Sequence, residues 1–459
     1  MAGPQFGLYP GQFAPTVHFA TKVSCQTRKP YLTETLGDSC KDKFGKCVPT
    51  RRRQEEKNMK DKLLFPSLPL LILFLILATT ALASNLWYVD GVHGNDQNKC
   101  RTPVTACKTI GHAISLASSG DFIFVAGATY PENLTISLNL NVIGAGATTT
   151  IIDGGGVNTV VTISSATVTL SGLTIQHGDA ALGGGIDNNG TLTLNNSAVT
   201  QNQTQGVGTG GGGIYNSGIL TINNGTISGN SNSASRYRGG GGILNFGGIL
   251  TIKNSTISGN SAHGFSGFVS KGGGIYNAGT LTLNNSTLSG NSAVVAHGPF
   301  GCAVPDGGGI YSQSGTVTIN NGTVSGNFAE NCYGDGDGGG IYGNVTLQNT
   351  IVANSPYGGD CDGTMTSNGY NLSSDNTCNF HQTGDLNNTN PLLGPLQNNG
   401  GPTLTEALLD GSPAIDSGNP SGCSDGQGHL LNTDQRGMPR PDREDSGGCD
   451  RGAYERQSD

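Results

Sequence analysis

The chain has 459 residues, 75 of them Gly, with 12% charged residues and a net charge of −8. Glycine without a strict triplet period excludes collagen, and ordered alternation of Ile, Leu and Val with Thr excludes a disordered low-complexity chain. Residues 1–62 hold 12 Lys+Arg against 6 Asp+Glu; the remaining 397 hold 12 against 26, a net of −14, and so acidic a body excludes a binder of phosphate backbones.

The first predicted element is membrane-directed. LLFPSLPLLILFLILATTALA runs from Leu63 to Ala83, with Lys60 and Lys62 before it and Ala81-Leu82-Ala83 at its end. A basic n-region, an apolar h-region and an A-x-A site before Ser84 spell a secretory signal. Residues 59–83, read from Met59, are therefore a signal peptide, or a signal anchor if uncleaved, since the run is nearly long enough to span a bilayer. Residues 1–58 are expected to be a mis-assigned or disordered extension. Membrane contact is expected only through this N-terminal segment, and the rest of the chain is expected outside the cell or on its surface.

Cysteine usage agrees with export. Cys25, Cys40 and Cys47 precede the signal, and eight cysteines follow it as four pairs of near neighbours. Many connectivities are open to eight cysteines; proximity in sequence gives Cys100–Cys107, Cys302–Cys332, Cys361–Cys378 and Cys423–Cys449. No Cys/His spacing fits zinc.

Residues 84–121 read as an N-terminal cap. Within it, Thr109–Ala117 places Ile110, Ala113, Ile114 and Ala117 on one helical face, with Thr109 as N-cap. Residues 122–356 are a repeat array. A phrase such as GGGIYNSGILTINNGTISGN (211–230) returns six times, its Ile falling at Ile186, Ile214, Ile243, Ile275, Ile310 and Ile341. Each repeat carries three short extended pieces punctuated by Gly and Asn, in the quoted case Gly-Ile-Tyr-Asn, Gly218–Ile222 and Thr226-Ile227-Ser228. Such strands are too short to stand alone. Stacked in register they make three parallel sheets around one core, with Ile214, Leu220, Ile222 and Ile227 inward. Asn224, Asn230 and their equivalents fall at turns, where stacked amides hydrogen-bond up a ladder, and the glycine triplets permit tight corners.

Four inserts leave the same corner of successive coils: 231–239, 261–271, 292–306 and 328–337. They gather Arg236, Tyr237, Arg238, His263, Phe265, Phe268, Lys271, His297, Phe300, Asp306, Glu330, Tyr333, Asp335 and Asp337. Aromatic rings beside polar groups suit a sugar-binding face; the competing reading is a set of tolerated surface insertions. The ligand-binding candidates are Arg236, Tyr237, Arg238, Phe265, Phe268, Lys271, His297 and Tyr333. The single GDGDGG copy (334–339) is the one place for calcium, through Asp335 and Asp337; otherwise no cofactor is expected.

Three stretches resemble known families. WYVDGVHGNDQNKC with TIGHAISLASSGDFIFVAGATYPENLTI resembles the N-terminal cap and first coil of secreted right-handed parallel β-helix proteins of the pectin-lyase-like superfamily. The GGGIY…TISGN repeats look like those of polymorphic outer-membrane proteins, although SGN stands where that type carries F-x-x-N. The run 390–455, NPLLGPLQNNGGPTLTEALLDGSPAIDSGNP…TDQRGMPRP…CDRGAYE, is similar to the choice-of-anchor Q domain of bacterial surface proteins. The resemblance implies an all-β, right-handed three-sheet parallel β-helix with a short N-terminal helix cap and a C-terminal cap domain at 357–459. It also makes Asp416, Asp434, Arg436, Arg440, Asp450 and Glu455 recurrent polar positions of that domain, expected to form an ion-pair network. The residues after Glu455 carry no apolar tail or sortase motif, so anchoring from the C-terminus is not expected.

The superfamily includes polysaccharide lyases and glycoside hydrolases. A lyase needs clustered acids for calcium and a basic proton acceptor; a hydrolase needs two carboxylates facing across a groove. The regular strands offer only Asp187, alone on its column, and Lys253. Asn432-Thr433-Asp434 resembles the Asn-Thr-Asp motif of polygalacturonases, but their Asp-Asp and Gly-His-Gly partners are missing. The reading is a non-catalytic exported surface or secreted protein acting in adhesion, matrix or glycan binding through the insert face, with a polysaccharide or a surface protein as partner and no nucleic acid. A lyase or hydrolase, or a purely structural stalk, are the alternatives.

Overall fold

The structure, a computed structural model, describes residues 84–459 apart from 207, 209, 234–238, 266–267, 300, 335, 443–447 and 458–459. The extension 1–58, the apolar segment, Phe300 and the expected site residues Arg236, Tyr237, Arg238 and Asp335 lie outside the described residues, as does the side chain of Phe265.

Alternation of apolar and small polar residues produces the strands. In one coil Ile214, Leu220, Ile222 and Ile227 are each no more than 1% exposed. The next coil repeats them in parallel register, Ile214 against Ile243, Leu220 against Leu250, Ile222 against Ile252 and Ile227 against Ile257. Repetition builds a 16-stranded, a 10-stranded and a 6-stranded sheet, and an added two-stranded antiparallel pair lies near the C-terminus. The molecule is a right-handed parallel β-helix of three sheets, with its core running along the axis.

The strands are distributed differently from expectation. Ile214–Asn216 and Ile219–Asn223 belong to the same 16-stranded sheet, and their counterparts one coil on are fused into Ile243–Lys253. Thr226–Ser228 belongs to the 10-stranded sheet. The 6-stranded sheet is made from segments read as inserts: Ser231–Ser233, Ser261–Phe265, Ser292–Ala296 and Phe328–Glu330, preceded by Asp179–Ala180 and Gln203–Gln205. The inward side chains there are Asn232, Ala262, Ala293 and Ala329, each buried. Small inward residues let this wall pack close to the core, and they also erase the apolar rhythm that marks a strand.

Corners are held by asparagine and glycine. Asn202, Asn230, Asn260, Asn291 and Asn327 form one buried ladder, each Nδ2 donating to the next Oδ1 at 2.9–3.0 Å. The same amides cap backbone groups; Asn260 Nδ2 donates to the Ile227 carbonyl at 2.9 Å, and Asn260 Oδ1 accepts from the Asn230 amide at 3.0 Å. Asn188, Asn216, Asn245 and Asn277 make a second buried ladder at 2.7–2.8 Å. Asn224 turns its corner at φ +51°, in the left-handed region that asparagine tolerates. In the triplets Gly211 has φ +67°, and a Cβ on Gly212 would stand 2.2 Å from the Ser231 carbonyl oxygen, so neither position accepts a side chain.

Both ends are closed. The helix Ile110–Leu116 is capped by the Thr109 hydroxyl and by Glu132, whose carboxylate accepts from the Ile110 and Gly111 amides at 2.8 and 2.7 Å. Ile110 and Ala113 are fully buried, with Ile114 and Ala117 packed at the edge of the core. At the other end Cys361–Ser367 still pairs with Ile341–Gln348, and Leu372–Ser373 with Ile351–Ala353, so the coils continue past the expected boundary at 356. Phe380, 2% exposed, then covers the core beside the Cys361–Cys378 bridge.

The chain next returns along the outer face of the 10-stranded sheet. The Leu404 carbonyl accepts from the Thr256 hydroxyl at 2.5 Å, Gln435 Oε1 from Thr287 at 2.7 Å, Glu406 from Ser289 at 2.6 Å and the Ser424 carbonyl from Asn321 at 2.8 Å. An ion-pair network locks it. Arg440 meets Glu455 at 2.6 Å with both side chains fully buried, and Arg440 also donates to Asn285 at 2.9 Å. Arg436 meets Asp434 at 2.8 Å and lies 3.7 Å above the Tyr454 ring. Asp450 accepts from the Asp416 amide at 2.8 Å. The four disulfides are Cys100–Cys107, Cys302–Cys332, Cys361–Cys378 and Cys423–Cys449. Among the described residues no helix is long and apolar enough to cross a membrane.

Candidate functional site

Because the Ile after each glycine triplet points inward, the next residue must point out. Parallel register stacks these outward residues into one column: Asp187, Tyr215, Leu244, Tyr276, Tyr311, Tyr342 and Asp362. The tyrosine rings stack, with centroids 5.1 Å apart for Tyr276 and Tyr311 and 5.2 Å for Tyr311 and Tyr342. Tyr276 and Tyr311 are buried, and Tyr276 donates to Gln313 Oε1; Tyr342 is half-buried.

A second column runs beside the first, where the third-sheet segments lead back into the glycine triplets. There Lys271, Asp306 and Asp337 are register partners on successive coils. Lys271 Nζ lies 3.3 Å from Asp306 Oδ2, donates to Tyr311 Oη at 2.8 Å and sits 4.5 Å above that ring. Burial pushes the Asp306 carboxyl up; Lys271 opposes this, and the charges of Asp337 and Asp362 add to it. Burial would lower the Lys271 ammonium, but Tyr311 and then Asp306 leave it above its ordinary value. Burial, followed by Asp306 and Asp362, raises the Tyr342 phenol. The result is one held cation, three carboxylates and a partly open aromatic ring.

Further rings lie at this C-terminal end. Tyr357 is 43% and Tyr333 70% exposed, and Tyr357 packs edge-on against Phe328 with centroids 6.4 Å apart. Gly334, next to Tyr333, lies against the Tyr357 ring.

Of the residues expected from sequence, Lys271 enters this cluster, while Tyr333 stands exposed beside Gly334. Phe268 is half-buried and His297 exposed. Asp337 sits in the Lys271 column, exposed, and Asp335 is outside the described residues. Tyr311, Tyr342, Tyr357 and Asp362 went unselected. The signal for the first two was the recurrence of Tyr after an inward Ile, at Tyr215, Tyr276, Tyr311 and Tyr342, read only as scaffold. Asp187 does not stand alone on its column, because Asp362 occupies the other end. Burial raises its carboxyl, which accepts from Asn189 at 2.9 Å. Asp434 of the Asn-Thr-Asp run is fully buried against Arg436, so that run serves the cap. Cys100, Cys107 and His112 approach one another, but the two sulfurs are joined in a disulfide and offer no thiolate.

Fold and topology define a right-handed parallel β-helix. No protein-family model and no curated protein matches the chain. Solved structures similar to it include the pectate lyase Pel9A, at 14% identity and a TM-score of 0.44, over 82% of this chain and 97% of that one. The GH136 lacto-N-biosidase of Eubacterium ramulus is 13% identical with a TM-score of 0.31, over 63% of this chain and 68% of that one. The pectin methylesterase of Aspergillus niger is 15% identical with a TM-score of 0.29, over 66% and 85%. At these values the likenesses say nothing about activity.

Proposed function

We propose that the chain is an exported, non-catalytic carbohydrate-binding β-helix acting at the cell surface or after secretion. The observation that carries this reading is the cluster of Lys271, Asp306 and Tyr311 with the half-buried Tyr342 ring stacked on Tyr311, together with the exposed rings of Tyr357 and Tyr333 on the last coils. A sugar is recognised by aromatic faces against its C–H side and by fixed charged or hydroxyl groups against its own hydroxyls. Both occur here within neighbouring coils. Four disulfides support a working place in an oxidising compartment. Residues 59–83 serve as the export signal, residues 1–58 take no part in the working protein, and the run 390–455 acts as a choice-of-anchor Q-like domain. A surface protein is the other partner of the right kind.

The test is retention of the full-chain protein on a panel of insoluble polysaccharides. Tyr342→Ala and Lys271→Ala should each lower retention about tenfold, the loss of roughly 1.4 kcal/mol of binding energy, while Tyr215→Ala, far along the same column, leaves it unchanged. Equal retention of all four proteins sinks the site.

One observation favours a second reading. Asp306 and Asp337 are register partners on adjacent coils, and burial raises Asp306. Two neighbouring carboxyls, one of them raised by burial, are the kind of pairing a glycoside hydrolase uses. That reading requires new reducing ends, abolished by Asp306→Asn.

A further inference from the structure

The outer face of the 16-stranded sheet carries an unusual regularity. Thr169, Thr193, Thr221, Thr251, Thr282, Thr318, Thr346 and Thr366 are register partners on successive coils. Two residues earlier in the strands runs a parallel column of Thr167, Thr191, Ile219, Ile249, Thr280 and Thr316, of which Ile219 and Ile249 are 44% and 48% exposed. Every side chain of both columns is β-branched, and all stand half-buried or exposed. Adjacent coils repeat at about 4.8 Å, and residues two apart on a strand are separated by about 6.6 Å, so the hydroxyls and methyls form a two-dimensional net about 34 Å long. Hydroxyls about 4.8 Å apart are beyond hydrogen-bond range of one another. Among the described residues none of the eight hydroxyls in the first column has a protein partner. β-Branched side chains also have few rotamers, so little freedom remains to be lost when the face is covered.

The face itself limits what can cover it. It is uncharged across both columns, in a body of net −14 (12 Lys+Arg against 26 Asp+Glu), and so complements a neutral partner. The two columns stand about 6.6 Å apart, which over eight coils gives roughly 220 Å². A stable protein complex takes about 800 Å² per partner. Threonine is also under-represented among residues that anchor protein interfaces. No aromatic ring stands in either column to stack on a sugar. What remains is a rigid, neutral, periodic partner rich in hydrogen-bonding groups.

We infer that this threonine net is a binding face for ice, with threonine methyls and hydroxyls holding rows of lattice water. Each contact is weak, but the scaffold fixes all of them at once, so they add as a multivalent set. The site is distinct from the Lys271 cluster and does not depend on the carbohydrate reading.

The experiment freezes a solution of the full-chain protein slowly onto a cold surface and measures partition into the ice against serum albumin. Wild type is expected to be enriched at least fivefold over albumin and to suppress recrystallisation of fine-grained ice. Thr251→Tyr combined with Thr282→Tyr, which breaks the net at its centre, should bring both effects to the albumin level with an unchanged far-UV spectrum. Lys271→Ala should leave both effects intact. Exclusion of wild type from ice to the same degree as albumin overturns the inference. So does unchanged partition of the double variant, retention on crystalline cellulose or chitin lost in the double variant, or a dimer in sedimentation that the double variant dissociates.

Discussion

Asp450 shows how burial, rather than pairing, sets the acid–base balance of single residues in the cap. Its carboxyl accepts from the Asp416 and Arg456 amides at 2.8 and 2.6 Å. Burial, and then the charge of Glu455, nevertheless push it up to about 7 from 3.8. Between those values the folded protein holds a proton that the unfolded chain has released, so stability is greatest at the acid side and falls as pH rises toward 7. The unfolding free energy from urea titrations should therefore decrease between pH 5 and pH 7, and Asp450→Asn should flatten that slope. A wild type that gains stability over this range contradicts the assignment. Arg440 tests the paired case. Arg440→Met leaves Glu455 buried without its cation and should cost roughly 3 kcal/mol at pH 7 in the same titration.

At the scale of the element, the ladder residues divide by what their amides satisfy. Asn260 serves the Asn230 amide, the Ile227 carbonyl and two neighbouring side chains, all buried. Asn260→Ala strips several of these at about 1–3 kcal/mol each, so a loss of more than ~3 kcal/mol is expected. Asn224→Ala loses mainly its tolerance of positive φ and should cost only about 1 kcal/mol, with Asn224→Gly near neutral. Equal losses for Asn260→Ala and Asn224→Ala in thermal or urea unfolding contradict the division. Legibility followed the same physics. Ile214, Leu220, Ile222 and Ile227 announced themselves because large inward side chains alternate with small outward ones. The third sheet stayed hidden because Asn232, Ala262, Ala293 and Ala329 are small enough to sit inside while reading as loop. Lys271 was legible as a charge in an uncharged array. Tyr311 and Tyr342 were not, because a residue that recurs in four of the repeats looks like scaffold even where, as at Tyr311, a neighbouring coil brings an ammonium to its hydroxyl.

Across the whole molecule, the helical cap and the stacked coils could be read from pattern, but the path of the C-terminal segment could not. It is fixed by polar contacts between residues more than a hundred apart, such as Asn321 with Ser424 and Thr287 with Gln435. Such contacts leave no period in the sequence. The coils up to Thr226–Ser228 touch only their neighbours, while those from Thr256 on also carry the returning segment, so stability should still be local between the two stretches of the axis. Cys361→Ser with Cys378→Ser loosens the plug that Phe380 makes, at a cost of about 3 kcal/mol. Hydrogen exchange should then accelerate first in Ile341–Gln348 and Cys361–Ser367 and leave the coil at Ile214 protected; uniform acceleration contradicts a one-dimensional stack. The disulfide-stapled body, the closed ends and the aromatic patch at the last coils fit the proposed reading of a molecule that holds a polymer without cutting it. The most direct measurement is the count of new reducing ends after prolonged incubation of the full-chain protein with whichever polysaccharide retains it. A binding protein leaves that count at the blank while Tyr342→Ala lowers retention about tenfold. New reducing ends from wild type that vanish in Asp306→Asn would show that the patch is a hydrolase site instead.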